Sequence, residues 1–201
     1  MFPTTIWTNI RQAGAMDERA MDEFARQYRP AVLAYITQRG YDRTLAEDLC
    51  QDVFVRLLKS DLLTRADPDR GRFRTLVRTV AMRTATDYLR KKREKPSEAV
   101  ADTPAANDGS EFDQQWALHL VERAMARLRD EGSPYFDVLN EHLTGQKPDR
   151  NRLWHARKRL AAYVRNEIAL TCSSEAEFEQ ELEYLGPFLQ RDAQVQQRRS
   201  S

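Results

Sequence analysis

Apolar side chains recur at helical spacing along most of this chain, and no segment shows a convincing strand pattern. In the first half the pattern predicts three helices, over residues 21–39, 42–60 and 72–92. Gly40 ends the first helix, and the Asp-Pro-Asp-Arg-Gly sequence at 67–71 is a turn signal before the third. The amphipathic stripes therefore predict a three-helix domain over residues 20–95, preceded by a polar arm at 1–19.

Residues 96–110 lack periodicity and are rich in Ala, Pro, Ser, Asp and Asn, which is typical of a flexible linker. A helix then begins near Phe112, and Ser133-Pro134 predicts the capped start of a short helix that Gly145 ends. A longer helix over 151–170 follows, and Ser174 with Glu177 predicts a capping box for the last helix. We therefore predict an all-α fold of two helical modules. The second comprises a shortened domain over 111–172 and an acidic helix with a disordered tail over 173–201.

The distribution of charge adds a functional signal to this fold prediction. The net charge is only +1, but acidic and basic residues are concentrated in different segments. Residues 65–95 carry eleven Lys or Arg against four Asp or Glu, whereas residues 41–61 carry three against five. The basic helix exposes small or uncharged groups (Thr75, Thr79, Met82 and Thr86) between flanking arginines. Such a face is often merely solvated surface, but its concentration here favours binding to a polyanion such as nucleic acid. The acidic face of the preceding helix is either a solubilising surface or a protein-binding patch.

Other features narrow the function classes. No apolar run approaches the roughly 18–20 residues of a membrane span, and no signal peptide is recognisable at the N-terminus. Cys50 and Cys172 favour buried free thiols in a reducing cytosol over a disulfide, so we expect a cytoplasmic protein. The three histidines are isolated, and no catalytic, metal-binding or phosphate-loop motif appears. We expect no enzyme activity, cofactor or metal.

The helix predicted over 151–170 has two interpretations. Its apolar stripe is predicted to pack Leu153, Trp154, Leu160, Ala161, Val164 and Ile168. Its other face exposes Arg152, His155, Lys158 and Arg159, an arrangement that suits a DNA recognition helix. A surface helix of a three-helix module explains the same pattern equally well.

Two motifs in the first module resemble a known family. The sequence Ala-Glu-Asp-Leu-Cys-Gln-Asp-Val-Phe-Val-Arg-Leu at 46–57 resembles the AEDLxQxxFxRL signature of region two in sigma-70 transcription initiation factors. Residues 73–93, with Asp-Tyr-Leu-Arg at 87–90, resemble the helix that follows this signature. The chain length and two-module organisation resemble the extracytoplasmic function (ECF) subgroup.

The resemblance implies two partners and no catalysis. The coiled coil of the RNA polymerase largest subunit would bind the second helix through Asp48, Gln51, Asp52 and Arg56. Promoter DNA would be recognised and melted at the minus-ten element by the following helix. The residues implied there are Arg74, Thr75, Arg78, Thr79, Arg83, Thr86, Arg90 and Lys91. The minus-thirty-five element would contact Arg152, His155, Lys158 and Arg159, and an anti-sigma protein is a further possible partner of this subgroup.

Two departures from the family pattern leave an alternative open. Leu76 and Arg83 stand where the family often has Trp and Asn. Only residues 146–150 separate the short helix from the candidate recognition helix, so about one helix and a turn of a helix-turn-helix are missing. The alternative to a promoter-reading sigma factor is therefore a sigma-like adaptor that binds polymerase but lacks autonomous promoter recognition.

Overall fold

The computed structural model describes residues 18–59, 73–93 and 109–199 of the chain. Within these ranges the protein is all-α, with no strand, which confirms the predicted fold class. The helices are α1 (Glu18–Gln38), α2 (Arg43–Lys59), α3 (Phe73–Arg93), α4 (Ser110–Asp130), α5 (Pro134–Leu143), α6 (Arg150–Leu170) and α7 (Glu175–Arg199). Nearly all of the predicted arm and of the predicted linker, and the whole turn at 67–71, lie outside the described residues. Helix α7 continues through most of the segment for which the sequence predicts a disordered tail.

The chain forms two compact units that divide inside α4, between Trp116 and Ala117. Of the described residues, those up to Trp116 form the N-terminal unit and those from Ala117 onward form the C-terminal unit. The sequence prediction assigned all of 111–172 to the second module. The first two turns of α4 instead belong with α1, α2 and α3.

Aromatic side chains hold the start of α4 in the N-terminal unit. The Trp116 ring stacks on Tyr28 with 5.1 Å between ring centroids, and Phe73 meets Tyr28 edge-on at the same distance. Phe112 packs edge-on against Tyr35 at 5.3 Å. All five rings are at most 1% exposed, so they form the centre of this unit's core. The apolar stripes of α1, α2 and α3 surround them, through Val32, Ile36, Leu49, Val53, Leu57, Val77 and Ala81.

Local capping explains where the C-terminal helices begin. Helix α5 starts as predicted, with the Ser133 side chain accepting a hydrogen bond from the Tyr135 backbone N–H and Pro134 in the first turn. At α7 the Glu177 backbone N–H donates to Ser174 Oγ at 3.2 Å, as in the predicted capping box. In a capping box the Glu177 carboxylate would accept from the backbone N–H of Ser174. Here it accepts from the backbone N–H of Ser173 instead. The predicted capping residues thus fix the starts of both helices, and the only difference from the prediction is the backbone N–H that bonds to Glu177.

A buried carboxylate organises the C-terminal unit. Glu167 of α6 is 1% exposed, and its oxygens accept hydrogen bonds from Arg123 at 2.7 Å and from Arg127 at 3.3 Å. Both arginines belong to the part of α4 that lies in this unit. A buried carboxylate requires such partners, because an unpaired charge away from water is costly.

Both cysteines are free and buried, which confirms the predicted free thiols. Burial raises the pKa of Cys50 to about 11, and its Sγ lies 3.8 Å from the Arg29 carbonyl oxygen. We therefore expect native protein at about pH 9 to react slowly with iodoacetamide, since the thiolate is the nucleophile. Denatured protein should react rapidly at both cysteines, and mass spectrometry of labelled peptides measures the difference. Rapid labelling of Cys50 in native protein would contradict this burial.

Candidate nucleic-acid interface

Helix α2 presents the predicted polymerase-binding face. Asp48, Gln51 and Asp52 are exposed, while Leu49 and Val53, on the opposite side of the helix, are buried. This separation follows from helical geometry, in which residues three and four apart share a face. The structure therefore brings these three predicted side chains together at one accessible surface.

Arg56, the fourth residue predicted on this face, turns toward α3. Its Nη1 donates to Asp87 Oδ2 at 2.7 Å, and both side chains are partly exposed. The hydrogen bond from Arg56 holds the pKa of Asp87 below its usual value, so the ion pair persists until the pH falls below that lowered pKa. Partly exposed pairs contribute little stability. The pair nevertheless joins the acidic helix to the basic one and orients both side chains.

The outward face of α3 carries the accessible basic residues. Arg83, Thr86, Arg90 and Lys91 are exposed. At about 100° per residue, Arg83, Thr86 and Arg90 lie within roughly 60° of one another around the helix. Two cations and one small hydroxyl residue therefore share one surface, as the sequence predicted for these positions.

The threonines of α3 bond to their own helix. Thr79 Oγ1 donates to the Thr75 carbonyl at 2.8 Å, and Thr86 Oγ1 donates to the Met82 carbonyl at 2.9 Å. These bonds use each hydroxyl proton and leave oxygen lone pairs as acceptors. Thr75 and Thr79 are half-buried, so Thr86 is the most accessible acceptor of the predicted set.

The predicted exposure is wrong for Arg74, and Arg78 is half-buried. Arg74 is 3% exposed, and Asp113, which is fully buried, accepts hydrogen bonds from Arg74 through Oδ1 and from Arg78 Nη1 through Oδ2 at 2.8 Å. The Arg78 side chain is 23% exposed. The physical reason is the start of α4, which packs on α3 and brings a carboxylate against these two arginines. Arg74 cannot reach DNA in this conformation.

Gly109 allows this close approach. Its φ of +88° is in the region that favours glycine, and a Cβ there would lie 2.9 Å from Arg78 Cδ. The backbone N–H of Asp113 donates to the Gly109 carbonyl at 3.1 Å, which places the carboxylate in the first turn of α4. A carboxylate is favourable at that end of a helix. Sequence reasoning missed both residues, and the only signal was an acidic residue near the start of a predicted helix.

Helix α6 exposes the four residues predicted for a recognition helix. Arg152, His155, Lys158 and Arg159 all face solvent. Arg159 also donates to the Tyr163 hydroxyl at 3.1 Å, so its guanidinium is directed along the helix. The positions of these side chains agree with the sequence pattern.

The predicted packing of Trp154 and Ala161 is wrong. Trp154 is 55% exposed and Ala161 is also exposed. Lys158 Nζ lies 5.3 Å from the centre of the Trp154 ring, and the His155 ring meets it edge-on at 4.7 Å. Residues 144–149, which are all described, contain no helix, so the scaffold helix that would precede a recognition helix is absent there.

Other kinds of site find no support in the described residues. No group of three or more His, Cys, Asp or Glu in the described ranges is arranged to hold a metal ion. None of the described helices is both long enough and apolar enough to span a membrane.

Residues 24–95 match the family model for Sigma-70 region 2. The matched stretch includes the whole of α2 and of α3, which carry the acidic and basic faces described above. Residues 24–95 are therefore similar to region 2 of the sigma-70 family, and this match, which covers 72 of the 201 residues, supports a role as a sigma factor in transcription initiation. No curated protein and no solved structure shows significant similarity to the chain.

Proposed function

We propose that this protein is a sigma factor of the ECF type that binds core RNA polymerase through α2 and promoter DNA through α3. The observation that carries the proposal is the pair of charged faces within the region 2 domain. Helix α2 exposes Asp48 and Asp52, whereas α3 exposes Arg83, Arg90 and Lys91. A negative face suits the coiled coil of the polymerase largest subunit, and a positive face suits DNA phosphates.

The outer face of α3 is suited to melting the minus-ten element. Arg83 and Arg90 would hold phosphates of the non-template strand, and each contact would release condensed counterions. Between them, Thr86 offers a hydroxyl oxygen to base donors, and Met82 is half-buried beside it. No covalent step is needed, since binding energy for the unstacked strand offsets the cost of opening the duplex, and polymerase makes the RNA.

Arg56 would act by orientation. Its guanidinium is paired with Asp87, which also lies 3.8 Å from Arg90. We infer that Arg56 holds α2 and α3 in register where the proposed polymerase face meets the proposed DNA face. It does so because it pairs with Asp87, the same carboxylate that lies near Arg90. This role differs from the direct polymerase contact that the family resemblance implies.

The alternative function is a polymerase-binding adaptor without autonomous promoter recognition. The absence of a helix in residues 144–149 favours it, since Arg152, His155 and Lys158 lie on a helix with no scaffold helix directly before it. The exposed basic face of α6 favours a retained contact with the minus-thirty-five element. An anti-sigma protein is the regulatory partner that an ECF assignment implies.

Transcription in vitro with core polymerase and a promoter library tests the proposal. A sigma factor should yield transcripts from a shared promoter motif, whereas an adaptor should bind polymerase without starting transcription on any template. We expect the Arg83→Ala, Arg90→Ala variant to weaken open complexes and to reduce the slope of log K against log salt by about 0.9 per phosphate contact on duplex DNA.

Arg43→Ala is a matched control for Arg83→Ala or Arg90→Ala made singly, since this arginine of α2 is 91% exposed and each substitution removes one positive charge. It should leave open complexes unchanged. Equal losses in Arg43→Ala and in either single α3 variant would mean that net charge, rather than the α3 face, determines DNA binding.

A further inference from the structure

We propose that Asp113 is a positioning residue that withholds Arg74 and Arg78 from DNA and confines DNA contact to the C-terminal half of α3. The inference rests on the proposed function, because it assumes that α3 binds promoter DNA. It adds a determinant that lies outside the matched region 2 domain, which ends at residue 95. The determinant is an internal carboxylate that competes with phosphate for two arginines of the DNA-binding helix.

The geometry of the pair supports this competition. Asp113 is completely buried and bridges the two arginines with one oxygen to each, through charge-assisted hydrogen bonds of the kind that a phosphate would also accept. Neighbouring contacts hold the carboxylate in place, since Phe112 and Trp116 of the same helix are buried in the aromatic core. The competing anion is therefore fixed where it lies and loses no entropy on binding the arginines.

The two arginines differ in how far they are withheld. Arg74 is buried and contributes to the interior of the unit, whereas Arg78 keeps 23% of its side chain exposed. A change of side-chain rotamer would carry the Arg78 guanidinium to solvent, because part of the side chain already lies at the surface. Arg78 is thus the cation that Asp113 masks, and Arg74 is the one that anchors the carboxylate.

Because of the position of Arg78, its pairing with Asp113 affects which side of α3 binds DNA. At about 100° per residue, Arg78 lies roughly 120–140° around α3 from Arg90 and Arg83. A free Arg78 would attract phosphates to a second side of the helix and allow a rotated docking of DNA. With the charge neutralised, the strand is directed to the face of Arg83, Thr86 and Arg90.

The test measures binding of the full chain to a fluorescent mixed-sequence DNA duplex across a salt series. Asp113→Asn should bind more tightly than wild type and steepen the slope of log K against log salt by about 0.9, as one phosphate contact is gained. Its advantage should shrink about threefold for each fourfold rise in salt. A merely structural role for Asp113 would instead weaken binding, so the direction of the change distinguishes the two.

Three variants complete the test. Adding Arg78→Ala to Asp113→Asn should restore the wild-type slope, and Asp113→Glu should keep it because the charge remains. Arg78→Ala alone should leave affinity and slope unchanged. A drop of about 0.9 in the slope for Arg78→Ala alone would show that Arg78 contacts DNA in the wild type and would overturn the inference.

Folding is checked by circular dichroism, since Asp113→Asn removes an anion that is hydrogen-bonded to the buried Arg74. If that variant does not fold, Arg74→Met combined with Asp113→Asn removes the buried charge and still frees Arg78. The result for Arg78→Ala remains decisive in either case. If Arg83→Ala, Arg90→Ala has no effect in the same assay, the proposed function fails. If that variant lowers the slope but Asp113→Asn does not raise it, only this inference fails.

Discussion

Replacing Trp116 by Ala should lower the melting temperature of the N-terminal unit by about 15–30 °C. The ring is 1% exposed and lies 5.1 Å from Tyr28, 5.8 Å from Phe112 and 6.1 Å from Phe73, measured between ring centroids. Truncation of a buried Trp to Ala costs about 3–5 kcal/mol, because transfer energy is lost and a cavity remains. That is a large fraction of the roughly 5–15 kcal/mol that stabilises a typical domain.

Thermal unfolding by circular dichroism, with hydrogen exchange of α1 and α3, measures this loss. Trp154→Ala is the matched control, since the same side chain is removed from a position that is 55% exposed. The control should change stability by less than about 1 kcal/mol. Equal shifts for the two variants, or retained protection of α1 and α3 in Trp116→Ala, would mean that the start of α4 is not part of the core.

A loss of this size has a functional consequence. The family match ends at residue 95, yet the core beneath α3 is completed by Phe112 and Trp116. A fragment that ends with the region 2 match would expose the faces of Tyr28, Tyr35 and Phe73 that these rings cover. The packing of α3 therefore depends on residues that follow the predicted linker in the sequence.

The helices could be predicted from the sequence because their apolar stripes are strong and their end signals are local. The buried positions of α2 and the exposed Asp48, Gln51 and Asp52 follow from 3.6-residue periodicity alone. The free thiols also followed from an apolar helical position for Cys50. Such properties depend on neighbours within a turn or two, which a single sequence displays.

The burial of Arg74 was partly visible in the sequence. Spaced at about 100° per residue, Arg74 and Arg78 lie beside Ala81 and Ala85, at the edge of the buried stripe, and away from Arg83. The sequence prediction grouped all the arginines of this helix as exposed basic residues, and it overlooked that Arg74 and Arg78 border the buried stripe. Their partner Asp113 was not predictable, because 39 and 35 residues separate it from them and residues 96–110, within this interval, show no periodicity.

The position of Trp154 illustrates the opposite error. A large aromatic residue at helical spacing usually belongs to a core, and Leu153 beside it is indeed half-buried. Burial of Trp154 would require another element against the first turns of α6, and the non-helical residues 144–149 do not supply a helix there. The same gap that weakens the helix-turn-helix assignment therefore explains the exposed ring.

Reversing the charge of the α2 face should abolish binding to core polymerase without unfolding the protein. We expect the Asp48→Lys, Asp52→Lys variant to lose at least about 100-fold in affinity, since like charges in an interface cost several kcal/mol. Both positions are exposed and lie one helical turn apart, opposite the buried Leu49 and Val53. The helix should therefore remain folded, which circular dichroism can verify, while titration with fluorescent core polymerase measures binding.

Glu179→Lys with Glu183→Lys is the matched control, because these exposed residues of α7 have the same spacing and the same change in net charge. Only the surface pair of Glu179 with Arg165, at 3.8 Å, is lost there. The control should bind core polymerase like the wild type. Undiminished binding by the α2 variant, with native circular dichroism, would make its acidic face a solvated surface and would require another docking site. A comparable loss in the control would instead show that affinity follows net charge, because the control leaves the α2 face unchanged.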